Sequence, residues 1–381
     1  MLNGVVTFDG APPEGTINLG VGQPSADLLP VDLLREASEA FFASAHPLEL
    51  NYGAPAGDER FLESLAGFLS RGYEAAVSPE SLFVTGGSSQ GLDLVSTVFS
   101  QEGDTVFVEE PSYFLAFQIL RDHGLNVVGV PVDRDGMQMD ALEGLLRKQV
   151  PAFVYIIPAY HNPGGHCMSA ERRARLVELS LRHGFRIVAD EVYQLLHYGE
   201  TPPPPFGTSV ENDTVLSLGS FSKILAPGLR LGWIQAGSDL RDHLLADGFV
   251  NSGGSINHQA SHLVRHAIDL GLQEGHVRML REALGRRAAA MNEALHAEFG
   301  ELATWHRPGG GYFFWLGFDE GIDTGSALHQ ARERRTGFQP GRLFSCHGGL
   351  SNCLRLSFAH YPEGDIRDGI SRLAKLFKER L

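Results

Sequence analysis

Residues 217–233 read SLGSFSKILAPGLRLGW, and the rest of the chain can be interpreted outward from them. Lys223 stands among Gly, Ser and Phe, and Arg230, further along the same run, is flanked by Leu229 and Leu231. Neither setting reads as a solvated surface. Among small and apolar residues desolvation disfavours an ammonium, so such a lysine loses its proton cheaply and can add to a carbonyl. An arginine between leucines calls for an anion. Its planar fork suits a phosphate or carboxylate, and an unpaired buried guanidinium is expensive.

Length and composition bound the possibilities. A chain of 381 residues can bury a sizeable core, enough for one large folded unit and a smaller one. The 31 Lys and Arg against 46 Asp and Glu leave a formal net charge of -15, which opposes attraction to nucleic acid or acidic membranes and favours small-molecule partners. Cys167, Cys346 and Cys353 form no disulfide framework, so a reducing compartment is expected. The opening MLNGVVTFDG lacks a signal-peptide pattern and no apolar run reaches spanning length, which together predict a cytoplasmic protein without membrane contact.

No internal repeat is evident, and the one biased run, Pro202 to Pro205, reads as a stiff surface loop. Between these limits apolar strands alternate with helices. In SLFVTGGSSQGLDLVSTVF a strand over residues 82–85 ends in Gly86 and Gly87 and passes into a helix with Ser88 as its expected N-cap. The amides of Ser89 and Gln90 then point outward at the positive end of the helix, a ready phosphate site. A Walker lysine and a GxGxxG are both missing, so nucleoside triphosphates and dinucleotides have no support. TVFVEEPSYF sets Tyr113 just past a strand, AFVYIIPAYHNPGG puts Asn162 in the loop after a wholly apolar strand, and FRIVADEVY ends a strand on Asp190. This alternation predicts an α/β fold with a largely parallel sheet covered on both faces. Ligands in such folds bind beyond the carboxyl ends of the strands, where Ser89, Tyr113, Asn162, Asp190 and Lys223 all fall.

The flanks carry less chemistry. INLGVGQPSADLLP brings Gly20 and Gly22 into a loop that either makes a plain turn or lets backbone approach a ligand. An amphipathic helix is expected from Val31, then a loop holding Tyr52, then a helix with Asp58 and Glu59 in its first turn. His258, His262 and His266 recur every four residues on one helix, which suggests a metal, but no carboxylate or cysteine cluster completes a site. They read as surface or interface histidines, as do His161 and His166 around the NPGG loop, and no metal is expected. A long helix over roughly 274–299 leads to an α+β unit, and Arg355 in its LRLSFA strand has little access to water; it either pairs with a core carboxylate or awaits an anion.

An amine able to form a Schiff base, beside a guanidinium able to hold a phosphate, is what pyridoxal 5'-phosphate requires. The order NPGG, ADEVY, SFSK and GLRLGW resembles the fold-type I pyridoxal-phosphate-dependent aminotransferases of class I/II over nearly the whole chain. Within that group it is similar to the branch of 2-aminoadipate and kynurenine transaminases and of the effector domains of MocR-type regulators. The resemblance implies a large cofactor-binding domain over 46–280 with a mostly parallel, seven-stranded-type sheet. It also implies a small α+β domain made of 1–45 and 281–381.

It further implies that Lys223 forms the internal aldimine and serves as general base and acid, that Asp190 pairs with the ring nitrogen, and that Asn162 and Tyr193 bind the ring's phenolic oxygen. Tyr113 would stack on the ring, while Ser89, Gln90, Ser220, Ser222 and Arg230 would hold the phosphate. Arg355 would bind the substrate carboxylate with the backbone of Gly22 closing over it, and Tyr52 would reach the partner's phosphate across a homodimer with shared sites. Where the family usually has N-P-T-G this chain has Gly164, which is expected to leave the loop freer. The expected activity is ping-pong amino transfer from an α-amino acid to a 2-oxo acid. An apolar or aromatic side chain is favoured because no basic residue precedes Arg35. Another reaction at Cα (lyase, decarboxylase, cyclase or oxidase) is the alternative. A MocR-like sensing domain is disfavoured by the negative charge and by a likeness that begins near Ile17.

Overall fold

The apolar runs of the sequence become strands wherever β-branched and aromatic residues cluster between turn signals. The computed structural model describes residues 14–379. The stretch inspected for a signal peptide, and the ends of the expected small domain at 1–13 and 380–381, lie outside the described residues.

The described chain enters through a two-residue strand, β1 (Ile17–Asn18). The main sheet comprises β2 (Leu82–Thr85), β3 (Thr105–Glu110), β4 (Asn126–Asp133), β5 (Gly136–Met137), β6 (Phe153–Ile156), β7 (Arg186–Asp190), β8 (Val215–Ser220) and β9 (Gly232–Ala236). Their spatial order is β2-β9-β8-β7-β6-β3-β4-β5. Seven strands thus make the body of the sheet, and the two-residue β5 hairpins onto β4 at one edge. β4, β3, β6, β7 and β8 pair in parallel. β9 is antiparallel to both β8 and β2, so β2 again runs with the parallel set. The carboxyl ends of β2, β3, β6, β7 and β8 therefore share one edge, and β9 starts there.

Every residue of β2, β6, β8 and β9 is buried, as a sheet covered on both faces requires. Fully burying a side chain such as Phe153 or Ile156 contributes roughly 1.5–3 kcal/mol against leaving it in water. Two of the covering helices start on side-chain caps that the sequence supplies. Asp58 accepts from the Phe61 amide before the helix Glu59–Tyr73, and Ser169 accepts from the Arg172 amide before the helix Ala170–His183.

A second, antiparallel sheet of order β10-β13-β12 is built from β10 (Phe313–Gly317), β12 (Gln339–Pro340) and β13 (Cys353–Ser357). Between them in sequence, β11 (Thr336–Gly337) pairs in parallel with β1, which brings Ile17 and Asn18 to the C-terminal elements. The long helix runs Leu272–Glu298 and packs on Glu363–Lys378, while the helix Val31–Ser44 packs on His258–Asp269. No helix among the described residues is long and apolar enough to cross a membrane.

Candidate active site

The shared carboxyl edge gathers most of the expected residues. Asp190 is the last residue of β7, Ser220 the last of β8, and Tyr113 and Asn162 stand in the loops after β3 and β6. The helix Ser88–Phe99 begins right after β2, but its N-cap is Gly87 and not Ser88. The reason is steric. Gly87 has φ +94, which glycine alone tolerates easily, and a Cβ there would stand 3.0 Å from the Arg230 guanidinium. The chain turns into the helix one residue earlier than a serine cap would, leaving the amides of the first turn open at the positive helix end. Ser89 is exposed, and Gln90 Oε1 accepts the Gly86 amide at 3.0 Å.

Asp190 is buried. Its Oδ2 accepts the Tyr155 hydroxyl at 2.8 Å, whereas Oδ1 has no hydrogen-bond partner among the described residues. Burial pushes its carboxyl up to about 6 even though the Tyr155 hydrogen bond and the Lys223 charge favour the ionised form. Among the described residues Lys223 Nζ donates to a backbone oxygen alone, that of Gly22 at 3.2 Å, and its own carbonyl accepts the Tyr312 hydroxyl at 3.1 Å. Burial and then the Arg355 charge push the ammonium down to about 8, against the pull of Asp190. The expectation of a cheaply deprotonated lysine is thus given a physical cause.

Arg355, midway along β13, is buried and has no carboxylate partner among the described residues. Its guanidinium donates to Asn162 Oδ1 at 2.9 Å and to the Gly20 carbonyl at 3.0 Å, while Nε has no partner. The rings of Phe313 and Phe344 lie 4.1 Å and 5.0 Å from it. Burial lowers it to about 10. A core ion pair is therefore not what holds it, and the charge is left for an anion. Gly22 lies against the same group, since a Cβ on it would sit 3.5 Å from Arg355 and 3.2 Å from the Phe313 ring.

Arg230 departs from expectation. It is exposed, not buried between its leucines, because it lies outside β9 in a left-handed turn after Pro227–Leu229. Leu231 goes into the core and Arg230 turns toward the sheet edge, donating to the Gly86 carbonyl at 3.0 Å and to Ser222 at 3.4 Å. Ser222 in turn takes the Ser220 hydroxyl at 2.9 Å. Tyr193 is buried against Tyr312 and Phe313. Burial pushes the half-buried Tyr113 hydroxyl up to about 12. Tyr52 is not brought to this edge within one chain; it is 84% exposed.

Other expectations need correction. His161 and His166 are buried, stacked 4.5 Å apart, and Glu109 of β3 stands beside them, so a carboxylate is in fact adjacent. His262 is also buried, stacked on Phe41, because the helix 31–44 covers that face. Sequence reasoning missed Tyr155, Tyr312 and Phe344. Tyr155 had a signal: a phenol in the middle of the wholly apolar run FVYI has to find a partner once the strand is buried.

Comparisons with known proteins give the family and the fold. Residues 14–373 match the family described as Aminotransferase class I and II. The chain is 34% identical over 371 residues to the aromatic-amino-acid aminotransferase 1 of Thermococcus litoralis, covering 96% of this chain and 88% of that one. Its fold superposes on the kynurenine aminotransferase of Pyrococcus horikoshii, crystallised with the pyridoxamine phosphate cofactor, with a TM-score of 0.90, 31% identity and coverage of 96% and 91%. The α-aminoadipate aminotransferase of Thermus thermophilus, bound to N-(5'-phosphopyridoxyl)-L-leucine, gives a TM-score of 0.86, 31% identity and coverage of 96% and 93%. The residues present fit such a cofactor: Asp190 Oδ1 is a buried acceptor lacking a donor, and open helix amides adjoin an arginine that meets no carboxylate among the described residues. A parallel sheet with these groups at one edge, matched along nearly its whole length by aminotransferases, places the chain in the class I and II aminotransferase family, a pyridoxal-phosphate-dependent enzyme.

Proposed function

We propose that the chain moves the amino group of an aromatic or apolar α-amino acid to a 2-oxo acid in a ping-pong cycle, with Lys223 carrying the proton at the substrate Cα. The observation that carries this reading is three neighbouring unmet demands: Asp190 with an orphan oxygen, Lys223 holding its proton weakly, and Arg355 with a charge no carboxylate answers. The bound cofactor supplies a reactive aldehyde and an electron-withdrawing ring. Asp190 would hold the proton on the ring nitrogen, with Tyr155 fixing the carboxyl group from its other oxygen. Asn162 and Tyr193 would bind the phenolic oxygen and Tyr113 would lie against the ring. Ser89, Gln90, Ser220, Ser222 and Arg230 would hold the phosphate at the helix end. Arg355 would take the substrate carboxylate in a two-point pair near the backbone of Gly22. Lys223 Nζ would be the base that takes the Cα proton and then the acid that gives it up to the bound cofactor.

The side-chain preference is supported by the aromatic rings around Arg355. The cations that act on Lys223 among the described residues are Arg355 and Arg230, both already committed. The relatives named above act on aromatic amino acids, kynurenine and α-aminoadipate, so a dicarboxylate can serve as the exchange partner. A half-reaction decides: L-phenylalanine, L-leucine, L-glutamate and L-2-aminoadipate are each mixed with the holoenzyme, and the loss of the cofactor's aldehyde-state absorbance is followed. Conversion by phenylalanine and leucine is expected. Conversion by the dicarboxylates alone would remove the aromatic preference, and no conversion by any amino acid would leave the lyase, decarboxylase, cyclase and oxidase alternatives.

The two-domain division, 46–280 against 1–45 with 281–381, is supported by the sheets, the eight-stranded one falling within the larger unit and the β1–β11 pair and the three-stranded one within the smaller, while the helix Val31–Ser44 crosses to pack on the larger unit. A homodimer is supported by exposed Phe42, Leu48, Leu50, Tyr52 and Phe249, an apolar set unusual on a monomer. The negative net charge supports an enzyme without nucleic-acid partners, and the three unpaired cysteines support a cytoplasmic setting.

A further inference from the structure

The loop that carries Asn162 is closed by three hydrogen bonds. The His161 amide donates to the His166 carbonyl at 2.9 Å, the Gly165 amide donates to the His161 carbonyl at 2.7 Å, and the Gly164 amide donates to His161 Nδ1 at 3.0 Å. The last of these fixes a tautomer. A neutral imidazole that accepts at Nδ1 carries its proton on Nε2. Nε2 faces the carboxyl group of Glu109, 3.2 Å from Oε2, which also accepts the Ile157 amide at 2.7 Å. Glu109 and His161 have no exposed surface, and His166 stacks on His161.

We infer that His161, backed by Glu109, is a positioning residue for Asn162: its Nδ1 pins the Gly164 amide and so fixes the turn from which Asn162 reaches both Arg355 and the cofactor. Glu109 belongs to β3 and so ties the turn to the neighbouring strand of the sheet. Gly164 follows from the same arrangement. A Cβ at 164 would lie 2.5 Å from His166 Nδ1 and 3.0 Å from His161 Nδ1, so the two stacked rings fill the space that a threonine would need. The loop is therefore not the freer one expected from its glycine.

Among the described residues Glu109 Oε1, His161 Nε2 and His166 Nε2 have no hydrogen-bond partner, and ligand atoms of the three side chains lie within 4.8 Å of one another, which raises a cation as the competing reading. The tautomer argues against it, because a metal on His161 needs the Nε2 lone pair that the Gly164 contact replaces with a proton. A buried water that accepts from Nε2 and donates to Glu109 would meet the same atoms.

The inference rests on the cofactor contact proposed for Asn162, so its test has one arm that needs no cofactor. Nitrogen-15 NMR of the histidine rings in the apo protein is expected to show His161 protonated on Nε2; a proton on Nδ1 would overturn the inference outright. In the holoenzyme His161→Leu is expected to weaken cofactor binding about tenfold, the scale of one buried hydrogen bond, and to shift the visible band. His161→Gln, whose amide can accept from Gly164 and donate to Glu109, should restore both. In an Asn162→Ala background His161→Leu should have no further effect on the band or the dissociation constant, whereas additive losses would overturn the positioning role. If His161→Leu does not fold, Glu109→Gln takes its place in the same cycle. An Asn162→Ala variant with unchanged cofactor binding would instead fell the role given to Asn162, leaving the NMR result to decide the hydrogen-bond pattern. Zinc alone, added and then dialysed, should leave no stoichiometric metal; retention that disappears in His161→Leu would overturn the inference in favour of a metal site.

Discussion

At the scale of single residues the site is held together by groups that are unfavourable alone. Lys223 has its ammonium pushed from 10.5 down to about 8 by burial. Below pH 8 the folded and unfolded chains are both protonated there, and the fold bears the whole desolvation cost. Between pH 8 and 10.5 only the unfolded chain keeps the proton, so the cost fades as pH rises. Lys223→Met should therefore stabilise the apo protein at pH 7, by up to about 3 kcal/mol on the pKa scale. The gain should disappear by pH 10.5, as read from urea midpoints, while the variant loses the cofactor's covalent band and its activity. Asp190 works with the opposite charge. Its carboxyl is raised from 3.8 to about 6, so the folded state carries the penalty of a buried anion above pH 6 and is progressively relieved as pH falls toward 4. Asp190→Asn is expected to raise apo stability at pH 7 and to weaken cofactor binding by roughly 10–100-fold, the worth of one charged hydrogen bond. An Asp190→Asn protein that binds cofactor as well as wild type would remove Asp190 from the ring nitrogen. Function here is bought with local instability.

At the scale of elements the question becomes what delivers these residues to one edge. Much of that was legible. Apolar runs ending in Asp190, in Ser220 or just before Asn162 and Tyr113 are visible as strands with polar ends, and a parallel sheet brings such ends together. What was not legible depends on direction and on neighbours far away in sequence. Arg230 was expected to be buried because Leu229 and Leu231 flank it, but β9 runs against its neighbours, so its first residues, and the turn before them, lie at the open edge. Ser88 was expected to cap its helix because the cap preference is local, whereas Gly87 takes the cap at φ +94, with the guanidinium of Arg230, more than a hundred residues away, against it. The Glu109, His161 and His166 cluster joins β3 to the loop after β6 and leaves no mark in either segment alone. The cap makes a prediction at this scale. Gly87→Ala places a side chain at φ +94 and at 3.0 Å from the Arg230 guanidinium, a strain on the order of 1–3 kcal/mol. Its thermal midpoint should fall, and its affinity for the cofactor should fall more than its affinity for the dephosphorylated cofactor. An equal loss for both would show that the turn does not serve the phosphate.

At the scale of the whole molecule one expected residue remains outside the site. Tyr52 projects from a loop next to exposed Leu50 and to Gly253, Ser255 and His258, and Leu48 and Phe249, close in sequence to these segments, are exposed too. A solvent-exposed apolar set of that kind is costly to leave uncovered, and a second copy of the chain related by a two-fold axis would cover it on both subunits at once. If Tyr52 then serves the site of the other subunit, each site needs Lys223 from one chain and Tyr52 from its neighbour. Two inactive or weakened proteins should complement. Lys223→Ala has no reactive amine, and Tyr52→Ala has no tyrosine to lend. After mixing under conditions that let subunits exchange, the hybrid holds one site with Lys223 intact in its own chain and Tyr52 intact in its partner. With random reassortment half the dimers are hybrids with one complete site each, so activity should rise to about a quarter of that of wild type. The rise should be absent when Lys223→Ala is mixed with a protein carrying both changes. Sedimentation should show a dimer for each variant, and Leu50→Glu combined with Phe249→Glu should shift it toward monomer with loss of cofactor. Mixing without any gain, while exchange is confirmed by mass-tagged subunits, would mean that Tyr52 does not act across the interface.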